Sequence, residues 1–192
     1  SGYIQKFTDY FLENVSLSNK ELLVLSFSAI CLFVIVGCLL LIALHDYKTK
    51  YVLSIVVYVA IATGIFLLLA NYNDVLSFWP LFKYLYPYVI PAITAGIIFY
   101  LIHALSKGKW MGAGDIEIVF LMGIFLGWPN TLIAFYVAFI LGAIIGVILL
   151  VVHRAKLKSE VPFGPFLITG TFVAYLFGTQ ILLIYDRIFL GF

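Results

Sequence analysis

Lys109-Trp110-Met111-Gly112-Ala113-Gly114-Asp115 lies between two apolar runs and ends on a carboxylate. The run before it extends from about Tyr88 to Leu105, and the run after it from Ile116 to Trp128. Glycine gives the backbone freedom to turn tightly, so the stretch reads as a sharp connection that delivers Asp115 to the start of an apolar segment. What surrounds that carboxylate depends on what the apolar runs are.

Composition decides this. The 192 residues are 65% hydrophobic and 10% charged, whereas a soluble domain has about 25% charged residues. That is too few to cover a surface facing water. Runs of about 20 apolar residues, the length needed to cross a hydrocarbon core, recur along the chain. Six segments are predicted: Leu22 to His45, Val52 to Ala70, Tyr88 to Leu105, Ile116 to Trp128, Thr131 to Val152 and Phe166 to Tyr185. A polar and aromatic loop with Asn71, Asn73, Asp74, Trp79 and Pro80 separates the second from the third. Pro129 and Asn130 turn the fourth into the fifth.

Residues 1–21 read as an amphipathic amino-terminal segment and 22–192 as the membrane-embedded domain. Ser1-Gly2, without a methionine, suggests a processed start. Ile4, Phe7, Phe11 and Val15 recur at helical spacing with Lys6, Asp9 and Glu13 between them, the pattern of a helix lying on a membrane surface. Ser18 and Glu21 fit a capping box for the first long helix.

The basic residues set the orientation. Lys48 and Lys50 follow the first segment, Lys107 and Lys109 the third, and Arg154, Lys156 and Lys158 the fifth. These loops share one side and hold seven of the 11 Lys and Arg residues, so that side is read as cytoplasmic. The expected fold is all-α, a polytopic membrane protein forming a six-transmembrane-helix bundle with both termini outside. Asp46 and Asp115 then fall on the cytoplasmic side. Gly123 with Gly127, and Gly142 with Gly146, have the spacing that lets membrane helices approach closely.

Asp46 ends the first segment. A boundary charge would explain it, but Lys48 and Lys50 already mark that boundary, and a carboxylate is on the unfavourable end of the helix dipole. Asp115 is suited to an N-cap. The fourth segment has only about 14 residues, or roughly 21 Å of helix, against a core of about 30 Å. Asp115 therefore lies below the membrane interface if Trp128 sits at the other one. A carboxylate at that depth is a functional candidate. Two carboxylates sharing a proton are the equipment of aspartic proteolysis.

Other chemistries find little support. There is no HExxH and no GxSxG. Cys31 and Cys38 lie seven residues apart on one helix, about 10 Å, too far for a disulfide. His45, His103 and His153 each fall near a cytoplasmic helix end and read as interface residues. No metal, no cofactor and no nucleic-acid partner is expected.

At these residues the chain resembles a known family. Gly112-Ala113-Gly114-Asp115 matches the GxGD motif of membrane aspartic proteases, and Met111 and Ile116 around it resemble the bacterial type IV prepilin peptidases. Asp46-Tyr47-Lys48-Thr49-Lys50 is similar to that family's first motif. Val161-Pro162-Phe163-Gly164-Pro165-Phe166-Leu167 is similar to its proline-phenylalanine-glycine motif. The resemblance implies an inner-membrane endopeptidase that removes the basic leader from prepilin-like proteins at the cytoplasmic face. Asp46 and Asp115 are its implied catalytic pair. Gly112, Gly114, Pro162, Phe163, Gly164 and Pro165 are its implied supporting residues. Prepilin-like substrates with a basic leader and an apolar helix, and the lipid bilayer, are the implied partners.

Many bacterial members also N-methylate the new amino terminus and carry an extra amino-terminal domain for it. Methyl transfer is not expected of this chain. Two positions depart from the family: Tyr51-Val52-Leu53 replaces Ile-Pro-Asn, and Glu117 replaces a lysine. Glu117 is expected either to repel the dyad or to pair with Lys107 or Lys109. A signal-peptide-peptidase-like enzyme and a non-enzymatic proton or ion carrier are the alternatives.

Overall fold

The computed structural model describes residues 19–49, 52–71, 78–108, 111–152 and 162–189. These residues form six helices: α1 (Asn19–Thr49), α2 (Ser54–Ala70), α3 (Phe78–Ser106), α4 (Ala113–Leu126), α5 (Asn130–Val151) and α6 (Gly164–Phe189). No strand occurs among them. α1, α3, α5 and α6 are long and apolar enough to cross a membrane. α2 and α4 are apolar and shorter, with 17 and 14 residues. This is a polytopic helical membrane bundle, as the composition predicts. The expected amphipathic segment, Ser18 of the capping box, and Lys50, Lys109, His153, Arg154, Lys156 and Lys158 lie outside the described residues.

Contacts along the helices give their directions. Gly114 of α4 faces Val52, Glu117 bonds Tyr58 of α2, and Gly64 of α2 faces Ile124, so α2 and α4 run parallel. Gly123 of α4 packs on Ala92 of α3 while Phe120 meets Gly96, so α3 runs antiparallel to α4. Gly170 of α6 packs on Ala134 of α5 and Gly178 on Asn130, again antiparallel. Phe27 of α1 meets Phe66 of α2 edge-on at 5.2 Å, and Ser28 meets Asn71. The six helices therefore alternate in direction. Asn19 and Phe189 share one end of the bundle. Asp46, Asp115 and Gly164 share the other.

α4 is the central element. It packs against α2, α3, α5 and α6. Eight of its 14 residues are buried, so it is enclosed on all sides, as a helix apolar all round should be. Close approach requires its glycine: a Cβ at Gly123 would overlap the backbone of Ala92. The other expected glycine contacts divide. Gly142 touches Phe163 and Phe166, but Gly146 has nothing within 4 Å. Gly127 also packs on α3, where a Cβ would overlap the Tyr88 ring. It ends α4 with φ of +64°, a backbone conformation that glycine adopts without steric cost.

α3 begins ten residues before the predicted start. Pro80 sits in its first turn, where no N–H partner is required. Pro87 and Pro91 lie inside it. Pro91 has no N–H to donate to the Pro87 carbonyl. That carbonyl instead accepts from the Trp128 N–H at 2.7 Å, in the α4–α5 turn. Pro80 was expected in the preceding loop, but its position in the first turn of α3 is one that a helix tolerates.

Expected outcome: Gly123→Val should force α3 and α4 apart and destabilise the bundle by about 1–3 kcal/mol, the usual cost of overpacking. Gly37→Val, where nothing lies within 4 Å, should leave stability nearly unchanged. Thermal unfolding of the two variants in detergent checks this.

Candidate active site

Asp46 lies in the last turn of α1, and Asp115 in the first turn of α4. Both are buried, at 4% and 7% exposure, in a bundle with few other buried polar side chains. The sequence predicts Asp115 as N-cap. In the structure the N-cap is Gly112, with extended backbone (φ −69°, ψ 151°), and Asp115 is the third residue of the helix. Its carboxylate reaches back to the Gly112 N–H, the reciprocal half of a capping box. Asp115 thus satisfies an orphan donor at its own helix terminus. It also accepts from the N–H of Gly164, the first residue of α6. One carboxylate is therefore set at the positive ends of two helices.

Gly164 joins the two acids. Its N–H faces Asp115, and a Cβ on it would overlap Asp46 Oδ2 and come within 3.1 Å of Ile118 Cδ1. No side chain larger than hydrogen fits between them. Asp46 Oδ2 is buried and has no hydrogen-bond partner among the described residues, so its acceptor capacity is unused.

The remaining predicted residues build the frame around this point. A Cβ at Gly114 would overlap Val52, so that glycine lets the segment before α2 close over the start of α4. Phe163 packs its ring tilted against Phe139 of α5 at 5.2 Å and Phe166 at 6.2 Å, which anchors the entry to α6. Pro162 is half-buried beside it. Pro165 lies in the first turn of α6, where its missing N–H costs nothing. Gly112 borders Asp115: a Cβ there would sit 3.7 Å from its Oδ2. Both carboxylates border Gly164.

A family model described as the type IV leader peptidase family matches residues 33–147. The chain belongs to this family.

The matched span contains Asp46 and Asp115 and stops before Pro162–Pro165. A protein of Bacillus subtilis named prepilin leader peptidase/N-methyltransferase is 26% identical over 170 residues, covering 84% of this chain and 68% of that protein. Proteins of the same name from Pseudomonas aeruginosa and Legionella pneumophila are 32% and 36% identical. Those alignments cover 44% and 38% of this chain, and 29% and 25% of the relatives' lengths. No solved structure matches the chain.

Glu117, the departure from the leader peptidase pattern, has its described partner on α2, while Lys109 lies outside the described residues. Its Oε1 accepts from the Tyr58 hydroxyl of α2 at 2.9 Å, and its Oε2 is buried without a partner among the described residues. Val52, Tyr58, Ile118 and His103 also border the site and were not singled out as site residues. Ile118 was accessible to a helical-spacing argument, being three residues after Asp115. Val52 and Tyr58 carry no local signal, because they meet α4 only through folding.

No group of three or more His, Cys, Asp or Glu among the described residues could hold a metal ion. Cys31 and Cys38 are buried free thiols. An apolar groove lined by Leu23, Val24, Phe27, Ile30 and Ala70 lies at the opposite end of the bundle from the carboxylates. It carries no titratable group and takes no part in their chemistry.

Expected outcome: Gly164→Ala should displace Asp46, separate the two carboxylates and lower the unfolding midpoint. Gly37→Ala, facing open space, should leave the midpoint unchanged or raise it slightly through helix propensity. Parallel thermal melts distinguish the two.

Proposed function

We propose that the chain is a membrane aspartic endopeptidase that removes the basic leader from type IV prepilin-like proteins. One observation carries the reading: Asp46 and Asp115 come from different helices and are buried against the same glycine at one end of the bundle. Family membership supports the substrate class, since the relatives are named for prepilin leader cleavage. Bacterial relatives and the basic loops support an inner-membrane location with the dyad facing the cytoplasm.

The chemistry follows from one proton shared between two acids. The ionised carboxylate takes a proton from water, and the oxygen attacks the scissile carbonyl carbon. The protonated carboxylate hydrogen-bonds the carbonyl oxygen, which gains negative charge as the tetrahedral intermediate forms. The carbon–nitrogen bond then breaks as the leaving nitrogen takes a proton from the pair. The proposal covers this hydrolytic step alone. The substrate's leader would lie at the membrane surface near the dyad, with its apolar helix along the bundle. Lys48, Lys50, Lys107 and Lys109 serve topology and contact with anionic lipid rather than attraction of a basic leader.

Asp46→Asn and Asp115→Asn should each abolish cleavage of a prepilin-like substrate by purified protein, and the double variant should be no worse than either. Near-normal turnover by either single variant contradicts the dyad. Cleavage should also show a bell-shaped pH dependence, because activity requires one acid ionised and one protonated. A rate that rises to a plateau without a second limb contradicts the shared proton.

A further inference from the structure

The connection from α3 to Asp115 is held by a side chain that the proposed chemistry does not use. α3 ends in a Schellman-type cap: the Gly108 N–H bonds the His103 carbonyl at 2.9 Å and the Lys107 N–H bonds the Ala104 carbonyl at 3.2 Å. Lys107 takes a left-handed conformation with φ of 53°, as that cap requires. This turns the chain back over His103. The half-buried imidazole then meets the carbonyl oxygen of Met111, with Nδ1 at 2.8 Å. A backbone carbonyl only accepts, so Nδ1 is the donor and carries the hydrogen.

Met111 O and Gly112 N belong to one peptide group. Its carbonyl end accepts from His103, and its N–H end faces the Asp115 carboxylate. The peptide is planar and rigid, so fixing one end fixes the direction of the other. Hydrogen bonds in such a chain also polarise one another. We propose that His103 is a positioning residue for Asp115, acting through the single peptide group between Met111 and Gly112. It aims the Gly112 N–H at the carboxylate and holds that carboxylate beside Gly164. His103 touches neither carboxylate itself. The effect on catalysis rests on the function proposed above. The hydrogen bond and its direction do not.

The chain contains two methionines, Met111 and Met122, and this makes the test direct. Met122 is buried in the middle of α4, away from the connection, and serves as internal reference. Full-length protein labelled with carbonyl-13C methionine is compared as wild type, His103→Phe and His103→Asn by infrared spectroscopy. Leader cleavage is measured in parallel. Phenylalanine keeps the ring and removes the donor. Asparagine places an amide N–H near the Nδ1 position.

In His103→Phe the Met111 carbonyl band should move to higher frequency while the Met122 band stays. kcat should fall about tenfold, the rate equivalent of one hydrogen bond, with KM unchanged. His103→Asn should restore both the band and most of the rate. An unmoved Met111 band in His103→Phe overturns the proposal. So does a moved band with unchanged kcat, or a change confined to KM. If the Met122 band moves as well, the phenylalanine variant has lost the fold and the asparagine variant decides: wild-type kcat with a displaced Met111 band overturns the proposal, and wild-type values of both support it. Wild-type protein that cleaves no prepilin-like substrate sinks the peptidase reading, and the Met111 band alone then decides whether His103 holds the peptide.

Discussion

Asp46 and Asp115 are buried against one residue, Gly164, inside a largely apolar bundle, and the rest of the architecture follows from accommodating them. Moving a carboxylate out of water costs several kcal/mol unless it is hydrogen-bonded or neutralised. Asp115 obtains two backbone donors by sitting where two helices begin. Asp46 retains an oxygen with no protein partner among the described residues. The two acids therefore differ in surroundings although both are enclosed. Such a site is stable only if the bundle around it is rigid. The glycine contacts of Gly114, Gly123, Gly164 and Gly170 supply that rigidity by removing the side chains that would hold the helices apart.

The short central helix follows from the same constraint. With 14 residues, α4 is about 21 Å long, against a hydrocarbon core of about 30 Å. Its middle is buried, and backbone groups at both ends find partners within the protein. Gly112 at one end is capped by Asp115, and Trp128 beyond the other end donates to the carbonyl freed by Pro91. Irregular backbone at membrane depth is tolerated where protein satisfies it, and both ends of α4 meet that condition. A longer α4 would carry Asp115 out to the interface and away from Gly164.

Much of this was legible in the sequence because hydrophobic runs and Gly-Pro punctuation are local signals. Six segments were predicted and the described residues form six helices, with Asp46 and Asp115 at one end. α3 was started at Tyr88 because Trp79 and Pro80 read as part of the polar loop, whereas the helix already begins at Phe78 with Pro80 in its first turn. Asp115 was placed at the N-cap, but Gly112 takes the extended backbone there and leaves Asp115 to cap backward. For Glu117 the sequence left open repulsion of the acids or pairing with Lys107 or Lys109, and did not point to Tyr58, its described partner 59 residues away. That contact crosses between helices, where no periodicity or spacing within one segment could reveal it. Val161 and the basic residues after α5 lie outside the described residues, and the amphipathic reading of residues 3–17 stands on the sequence alone.

The adjacency of the two carboxylates in a bilayer is the claim on which the account depends. It is tested most directly by solid-state NMR of protein in lipid, with aspartate labelled at the side-chain carboxyl carbon. Asp46→Asn and Asp115→Asn spectra assign the two signals. The account predicts a dipolar cross-peak between the Asp46 and Asp115 carboxyl carbons in the wild type, weakened or lost in Gly164→Ala. Two assigned carboxyl signals with no coupling between them in well-folded wild-type protein would contradict it.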